Sequence, residues 1–391
     1  MLKAFKTEIN PTQEQKIKIH KTIGTCRYMY NFYISYNKEL HSNGKKFMST
    51  NSFSVWLNNE FLPNHPEYSW IKEVSSKSVK QSLVNANTAF TKFFNGLSGF
   101  PRYKKKSNSD VKMYFVKNDK NTIIPCERHR IKIPTLGWVR LKEKGYIPIT
   151  KSRAVIKSGS VSMKAGKYYV SVLVDIQEKT KSVLNDFGIG VDLGVKEFAV
   201  CSNGEIFKNI NKSARIKKLE KCLKRQQRKL SRKYENFKKL SNKEKGEATR
   251  QNIKSQLLKV QKIHQKLANI RTDYINKVIV ALVKTKPMWI TLEDLNVKGM
   301  MKNRHLSKAI ARQNFSEFRT KLQSKCKEYG IELRIVDRFY PSSKLCHNCG
   351  RMKNDLKLSD RIYTCCQCGY KVDRDFNASL NLRDAITYKI A

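Results

Sequence analysis

The spacing of apolar residues predicts a strand and two helices in the first part of the chain. Leu2–Ile9 is predicted to be a short strand, and Thr12 is placed to cap a helix whose apolar positions recur at helical intervals. We expect most aromatic residues in Tyr28–Tyr36 to pack in a core, with base stacking as the alternative. A second helix is predicted over Lys77–Phe94, ending at Gly96.

After Lys106 the pattern changes from helical to alternating, which predicts a small antiparallel β-barrel. Its strands are predicted over 111–116, 130–133, 139–141 and within 155–175, with Gly, Pro and Asn at the turns. Basic residues stand beside aromatic ones in Lys112–Phe115 and Lys167–Tyr169, a pattern used to hold single strands and RNA backbones. An exposed basic face is the alternative, and the pattern does not separate the two.

The rest of the chain mixes strands with long helices, which predicts an α/β fold. A polar connector over Lys181–Asp186 leads to a strand carrying Asp192, and the returning chain resembles the first hairpin of an RNase H-like sheet. Residues 211–271 contain 21 Lys or Arg and 4 Glu at helical spacing. One helical face is expected to pack and the other to track phosphates, with solvated charge as the alternative. Further elements are predicted as a strand over Met288–Leu292, a helix over Phe315–Tyr329, a strand over Glu332–Val336 and a last helix over Phe376–Ile386.

The charge balance indicates the class of partner. Lys and Arg number 79 against 32 Asp and Glu, a formal net charge of +47 at pH 7. A surplus of this size is self-repelling, so we expect nucleic acid as the counter-charge, with a merely basic surface as the alternative. Long apolar runs and a secretory start are missing, so no membrane partner is expected. The ten cysteines, four of them in paired spacing, favour a reducing compartment, and we expect a cytoplasmic protein.

Three acidic residues at strand or helix ends are candidates for a metal site: Asp192, Glu293 and Asp375. Carboxylates gathered from distant segments can hold two divalent cations, as phosphodiester cleavage requires. Asp294 competes with Glu293, although alternation along a strand directs the two side chains to opposite faces. Capping of the last helix is the alternative role for Asp375, and Asp373 competes for it.

Two Cys-x-x-Cys pairs, each followed by glycine, predict a structural zinc site. The expected ligands are Cys346, Cys349, Cys365 and Cys368, whose four thiolates satisfy tetrahedral zinc without an open position. The glycines let the backbone turn so that amide N–H groups approach the sulfurs. Cys366 is a rival for Cys365 but breaks the two-residue spacing, and His347 is expected to be a surface residue.

Seven polar residues are candidates for nucleic-acid contacts: Lys77, Gln81, Asn85, Arg102, Lys104, Arg228 and Arg232. The first three lie on the polar face of the predicted Lys77–Phe94 helix. Asn and Gln can read adenine edges in a groove, but this face is ambiguous. The other four lie in strongly basic stretches of the chain.

Several motifs, in this order, resemble the TnpB family of transposon-encoded proteins, relatives of the type V CRISPR effectors. They are Gly190-Val191-Asp192-Leu193-Gly194, Leu292–Met300, the paired cysteines and Asp373-Arg374-Asp375-Phe376-Asn377-Ala378. Weaker similarity in Pro11–Gln15, Arg27–Asn31, Gly99–Arg102 and Gln227–Lys233 extends the resemblance to nearly the whole chain. One departure is Asn276, where many relatives carry histidine, and we expect it to affect packing or an RNA contact rather than the metals.

The resemblance implies an RNA-guided DNA endonuclease. It would bind a guide RNA derived from its own element's end, recognise a short motif beside a double-stranded DNA target, and cut both strands at one RuvC-like site. Asp192, Glu293 and Asp375 would hold two Mg²⁺ ions, and the four cysteines one structural Zn²⁺. We expect a monomeric ribonucleoprotein that is nucleoid-associated when targeting.

The implied architecture is an α/β multidomain protein with an RNase H-like (RuvC) nuclease fold, an inserted zinc ribbon, a small β-barrel and a helical recognition domain. The expected domains are the first strand of the barrel (wedge) domain at 1–10, the recognition domain at 11–106, the remainder of the barrel at 107–180, the first part of the nuclease at 181–340, the zinc ribbon at 341–372 and the last part of the nuclease at 373–391. Two other functions stay open: a cleavage-deficient RNA-guided DNA-binding regulator, and a DNA transposase.

Overall fold

The computed structural model describes residues 2–107, 111–116, 124–148, 154–176, 183–240, 246–357 and 359–391. They belong to two compact units, Met1–Lys179 and Thr180–Ala391, each of which is described by itself. Over these residues, every helix is too short or too polar to cross a membrane.

The first unit contains a helical region and an antiparallel sheet. Its strands and helices are β1 (Leu2–Asn10), α1 (Gln13–Ser42), α2 (Thr50–Trp56), α3 (Leu62–Asn64), α4 (Ser76–Phe94), β2 (Met113–Val116), β3 (Arg130–Ile133), β4 (Gly137–Leu141), β5 (Val155–Lys164) and β6 (Lys167–Asp175). A π-helical turn at Leu57–Phe61 and a 3-10 helix at Pro66–Glu73 connect the helices. The predicted first strand and both predicted helices are confirmed, whereas two short strands begin two residues away from their predicted starts.

Thr12 caps α1 as predicted. The N–H of Thr12 donates to Gln15 Oε1 at 3.0 Å and the N–H of Gln15 donates to Thr12 Oγ1 at 3.3 Å, which is a reciprocal capping box. The aromatic side chains of α1 build the helical core, where the buried Tyr33 ring lies 5.1 Å from that of Phe53 and 6.4 Å from that of Phe90. Core packing is therefore confirmed as the main role of the aromatic stretch.

The sheet of the first unit has six strands in the order β2-β5-β6-β1-β4-β3, all antiparallel. Strand β1 lies between β6 and β4, so the start of the chain completes a sheet whose other strands follow α4. Among the described residues the two edge strands, β2 and β3, are not paired with each other. Closure of this sheet into a barrel stays a prediction.

The second unit is a mixed α/β fold with a long helical hairpin. Its elements are β7 (Asn185–Leu193), β8 (Glu197–Cys201), β9 (Ile206–Lys208), α5 (Ala214–Lys239), α6 (Glu247–Lys284), β10 (Pro287–Glu293), α7 (Val297–Met300), α8 (Ser307–Gln313), α9 (Phe315–Tyr329), β11 (Glu332–Val336), β12 (Ile362–Thr364), β13 (Lys371–Asp373), α10 (Arg374–Arg383) and β14 (Lys389–Ile390). The helix and the strand predicted over 315–329 and 332–336 are confirmed.

Two sequence predictions in this unit are wrong at their boundaries. The last helix begins at Arg374 rather than Phe376, because Asp373 supplies the N-terminal cap. It ends at Arg383 rather than Ile386. The connector predicted over Lys181–Asp186 ends earlier, because Asn185 already pairs with Pro287 at the start of β7. Residues 181 and 182 of that connector, and 241–245 of the cationic stretch, lie outside the described residues.

The second sheet has the order β14-β11-β10-β7-β8-β9. Its centre is parallel, since β10 runs parallel to both β7 and β11, while β8, β9 and β14 are antiparallel to their neighbours. One face packs against α6, α8 and α9 in the main core of the unit. The other face carries α10, which approaches so closely that a Cβ atom on Gly190 would lie 1.9 Å from the Ser379 carbonyl oxygen.

Candidate functional site

Asp192 and Glu293 lie side by side at the carboxyl ends of two neighbouring parallel strands. In the pairing of β7 with β10, Val191 lies opposite Leu292, so Asp192 and Glu293 occupy the next pair of positions. Val191 and Leu292 are buried in the core with α6 and α9. Alternation along the strands therefore turns Asp192 and Glu293 to the opposite face, which carries α10.

The first turn of α10 brings Asp375 to the same place. The Ser379 carbonyl lies over Gly190, and Asp375 is one turn nearer the start of the helix, towards the end of β7. Asp373 Oδ1 accepts hydrogen bonds from the N–H groups of Asp375 at 2.9 Å and of Phe376 at 3.1 Å. Since Asp373 caps the helix, the Asp375 carboxylate is not needed as the cap.

The charges of Glu293 and Asp375 act on Asp192 in partly desolvated surroundings. Burial first, and then the charges of Glu293 and Asp375, raise the pKa of Asp192 well above its usual value, although the Arg374 charge opposes them. Burial also raises the pKa of Glu293, while a hydrogen bond from Ser342 lowers it. All three side chains are half-buried, so solvent still reaches them. Clustered carboxylate oxygens of this kind suit Mg²⁺, because a cation removes the repulsion.

Asp294, the sequence rival of Glu293, has other partners. Its carboxylate accepts hydrogen bonds from Arg319 Nη1 at 2.6 Å and from Arg338 Nη2 at 3.1 Å. These bonds, with Arg319 the larger cause, lower the pKa of Asp294. The two acidic neighbours thus point to opposite faces of β10, and Glu293 is the one that lies beside Asp192.

Ser342 is a site residue that the sequence analysis missed. Its hydroxyl donates a hydrogen bond to Glu293 Oε1, and its side chain is buried. Asn381 on α10 holds the Ser342 backbone, because Asn381 Nδ2 donates to the Ser342 carbonyl at 2.8 Å and to the Leu345 carbonyl at 2.7 Å. Asn377, one turn earlier, also donates to Leu345 at 2.7 Å. Two serines, Ser342 and Ser343, lie between β11 and the first cysteine, and the sequence does not show which of them reaches Glu293.

The four predicted zinc ligands converge. One ligand atom from each of Cys346, Cys349, Cys365 and Cys368 lies within 4.8 Å of every other. Gly350 has φ of +73° and Gly369 has φ of +67°, as the predicted turns after each pair require. Within the ranges that the structure describes, this is the one group of three or more metal-ligating side chains gathered so closely. Its donor set fits one tetrahedral Zn²⁺.

Backbone amides and neighbouring thiols both act on the pKa values of these cysteines. The Tyr370 amide is the main cause that lowers the pKa of Cys368 to about 6. The Arg351 amide lowers the pKa of Cys349, but burial and three adjacent thiols together raise it to about 12. Four thiolates this close together need a cation between them, which supports a metal site.

The two sequence rivals stand outside the cluster. Cys366 is exposed and does not join the other four sulfurs. His347 Nδ1 lies 3.7 Å from Asp384 Oδ2, and its backbone N–H donates to Asn377 Oδ1 at 3.2 Å. Its side chain thus faces the end of α10 rather than the sulfurs.

Helix α5 presents an open basic surface. Gln256 Nε2 on α6 donates to the Gln226 carbonyl at 3.0 Å and so fixes one side of α5 on its partner helix. A shallow cleft on α5 is lined by Ala214, Lys217, Lys218, Lys221, Lys224, Arg225 and Arg228. Arg232 lines an adjoining depression with Arg228. The predicted contacts Arg228 and Arg232 therefore lie together on one exposed cationic face.

The other candidate contacts belong to the first unit. On α4, Gln81 Nε2 donates to Asn85 Oδ1 at 3.1 Å, so these two predicted residues bond each other along one face, and Lys77 is half-buried one turn before them. Arg102 is exposed. Lys104 is held more firmly than expected, because its backbone pairs with the Asn31 amide at 2.7 and 3.0 Å and its ammonium group lies 5.2 Å from the centre of the Tyr30 ring.

Asn276, the departure from the family pattern, lies on the exposed side of α6. Its Oδ1 accepts a hydrogen bond from Lys321 Nζ on α9 at 2.8 Å. The residue contributes to the contact between two helices on the face of the sheet away from the acidic cluster.

Three family models match parts of the chain. "Probable transposase" matches residues 171–304, "Cas12f1-like, TNB domain" matches residues 315–382, and "Helix-turn-helix domain" matches residues 1–46. The described part of that last region is one strand followed by a single helix of 30 residues.

Curated relatives match nearly the whole length. The chain is 31% identical over 396 residues to "Putative RNA-guided DNA endonuclease InsQ" of Escherichia coli K12, covering 97% of this chain and 91% of the relative. It is 30% identical to "Putative RNA-guided DNA endonuclease" of Streptomyces pristinaespiralis, covering 97% and 88%. A solved Cas12f1-sgRNA-target DNA complex has a similar fold, with a TM-score of 0.62 at 16% identity, covering 97% and 84%. The chain belongs to the TnpB family of transposon-encoded proteins.

Proposed function

We propose that this protein is an RNA-guided DNA endonuclease that cleaves double-stranded DNA by two-metal hydrolysis at Asp192, Glu293 and Asp375. The observation that supports it most strongly is the arrangement of these carboxylates. Three acidic side chains from distant segments lie near the carboxyl ends of β7 and β10, where the charges of Glu293 and Asp375 act on Asp192, in a chain of net charge +47. The names of the full-length relatives point to the same activity.

The side chains of the site have separate tasks. Two Mg²⁺ ions bound by the carboxylates would supply an activated water and stabilise the leaving oxygen. The Ser342 hydroxyl holds Glu293 in orientation by its hydrogen bond, and Arg374 Nη2 holds Asp375 Oδ1 at 3.2 Å. The four cysteines bind one structural Zn²⁺ that orders the segment leading to Ser342 and takes no part in the chemistry.

The nucleic acids would be selected in two ways. A guide RNA from the end of the element pairs with one DNA strand and supplies sequence selectivity, while the protein reads heteroduplex shape and a short motif beside the target. Arg228 and Arg232 on α5, and Lys77, Gln81, Asn85, Arg102 and Lys104 in the first unit, are the proposed contacts. We propose that the protein acts as a monomeric ribonucleoprotein in the cytoplasm and joins the nucleoid when it targets DNA.

Sequencing the RNA that copurifies with the protein supplies the guide for a direct test. A plasmid with a matching target and adjacent motif is then incubated with the complex and Mg²⁺. We expect Asp192→Ala to bind the target and not cut it, and Asp294→Ala to cut. Reversible loss of cutting on chelation of Mg²⁺ is also expected. Cutting by pure Asp192→Ala protein would refute the assignment of the site.

The same plasmid assay distinguishes two other functions from the guided nuclease. Stable occupancy by the wild-type complex without nicking supports a cleavage-deficient regulator. A DNA transposase is favoured by the family description "Probable transposase" over residues 171–304. Strand-transfer products formed at element ends without RNA support that function and contradict the guided nuclease.

A further inference from the structure

We propose that Phe339 is a stacking platform for an unpaired nucleobase of the DNA strand being cut, and that it positions the strand beside the carboxylates. The ligand is the flat face of any base within a few nucleotides of the scissile phosphate. This inference rests on the proposed function, because it assigns part of the substrate path of the same site.

Both ends of the loop that carries Phe339 are fixed at Glu293. On one side Val336 pairs with Glu293 in the parallel sheet. On the other side the Ser342 hydroxyl donates to the Glu293 carboxylate. Phe339 is three residues from each of these anchors. Three residues span at most about 11 Å, so Phe339 cannot lie farther than that, in Cα distance, from either anchor.

The loop has little freedom to fold Phe339 inward. The N–H of Phe339 donates to Asp337 Oδ1 at 2.9 Å, and the N–H of Tyr340 donates to the Asp337 carbonyl at 3.1 Å, which closes a turn. Tyr340 is committed to the α10 side, where its hydroxyl donates to the Asn381 carbonyl at 3.1 Å. Arg338 Nη2 donates a hydrogen bond to Asp294 Oδ2 at 3.1 Å, on the opposite face of the sheet.

Phe339 lies between these two committed neighbours and is 87% exposed. A single exposed apolar side chain needs no explanation by itself. This ring differs from a scattered one because a hydrogen-bonded turn holds it within about 11 Å, in Cα distance, of Val336 and Ser342, the two residues that contact Glu293.

Stacking on an aromatic ring suits this position chemically. Every base has a π-face, so stacking tolerates all sequences, and a nuclease whose selectivity comes from guide pairing needs that tolerance. A ring on this loop can reach a base within a few nucleotides of the bond to be cut, because its Cα lies within about 11 Å of Val336 and Ser342, which both contact Glu293. Stacking of a base there would fix the phosphate relative to Asp192, Glu293 and Asp375.

Single-turnover cleavage by the guide-loaded protein provides the first test. We compare an intact target with targets carrying one abasic nucleotide at successive positions near the cut. Phe339→Ala is expected to slow cutting of the intact target by about 5- to 150-fold, and to have no further effect on the target that lacks the contacted base. Phe339→Trp should restore the rate, Phe339→Leu should not, and Ile386→Ala, which alters another exposed apolar side chain, should leave it unchanged.

A wild-type rate for Phe339→Ala would overturn the proposal, and so would an equal slowing on every abasic target, which indicates a structural defect. The second test does not depend on cutting. In the Asp192→Ala protein, the emission of Phe339→Trp should be quenched when single-stranded oligonucleotide is added, beyond the change seen with Ile386→Trp. If the wild-type complex never cuts, the proposed function fails, and this quenching alone decides whether Phe339 stacks on bases. Absence of the extra quenching contradicts the proposal.

Discussion

At the scale of the residue, the folded chain disfavours the ionised form of Asp192 in the acidic site. Burial and the neighbouring carboxylates raise the pKa of Asp192 above its unfolded value near 3.9, so the folded state binds the extra proton. The penalty is absent below that unfolded value and grows as the pH rises towards the folded pKa. Without a bound cation, the clustered carboxylates therefore lower the free energy of unfolding at neutral pH.

Asp192→Asn is therefore expected to stabilise the metal-free protein at neutral pH. Each 1 kcal/mol added to the free energy of unfolding raises Tm by about 2–4 °C in a unit of this size. The stabilisation by Asp192→Asn should grow between about pH 4 and pH 7. Asp294→Asn should destabilise the protein throughout that range, because Arg319 and Arg338 lower the pKa of Asp294 and its contribution is lost only as the pH falls below about 4. Thermal unfolding of both variants over that pH range in EDTA checks the two signs.

Ser342→Ala removes the hydrogen bond to Glu293 without removing a carboxylate. Loss of a group that orients a metal ligand costs about 10- to 100-fold in metal affinity or activity, so we expect the Mg²⁺ concentration for half-maximal cleavage to rise within that range. Ser343→Ala is the matched control. Equal Mg²⁺ dependence of the two variants would contradict the role given to Ser342.

The carboxylates and cysteines could be predicted from their motifs, whereas Ser342, Asn377 and Asn381 could not. Spacing identifies a ligand set because the chemistry fixes the residue types. A side chain that bonds a backbone carbonyl 36 or 39 residues away depends on how a loop docks on a helix. Local sequence does not encode that docking.

At the scale of the element, close packing of α10 on β7 depends on one missing side chain. Gly190→Ala would place a Cβ atom 1.9 Å from the Ser379 carbonyl and 2.4 Å from the Arg383 nitrogen, so α10 must move. We expect a loss of more than about 3 kcal/mol of unfolding free energy, as for severe core overpacking. Gly24→Ala, with nothing within 4 Å on helix α1, should instead stabilise by about 0.5–1 kcal/mol. Urea unfolding measures both.

The cysteine hairpin should bind one zinc ion per chain. Cys346→Ser removes one of four ligands and is expected to abolish tight zinc binding, and Cys366→Ser should retain it, because Cys366 is the one cysteine between residues 346 and 368 that lies outside the cluster. Elemental analysis of the purified variants measures the number of zinc ions bound per chain. Zinc loss in both variants, or in neither, would contradict the ligand set.

Long periodic elements were the most predictable, and the last helix the least. The helix over 315–329 carries its own apolar stripe and its terminal glycine, so local sequence specifies it. The start of α10 depends on which of two aspartates, 373 or 375, takes the cap, and tertiary packing makes that choice.

At the scale of the whole molecule, the net charge of +47 makes nucleic-acid binding depend strongly on salt. If Arg228 and Arg232 contact phosphates, changing both to Gln should reduce the slope of log affinity against log salt by about 1 for each contact. Lys389→Gln, at an exposed position on β14, is the control. Titration of the copurifying RNA at several salt concentrations measures the slopes, and an unchanged slope for the double variant would exclude these contacts.

The order of helical and strand-rich stretches along the chain followed from the sequence, but the strand order within the sheets did not. Changes of apolar period along the chain marked where helices gave way to strands. The insertion of β1 between β6 and β4 joins residues about 130–170 positions apart, and no local pattern specifies that pairing.

The third carboxylate of the acidic cluster lies far along the chain from helix α5, so the ribosome makes it much later. Helix α5 ends at Lys239, whereas the third carboxylate belongs to residue 375. At about 5–20 residues per second, a growing chain carries its cationic helix for on the order of ten seconds before Asp375 is made. If the basic face of α5 holds RNA as proposed, each newborn molecule can bind RNA before its third carboxylate has been made.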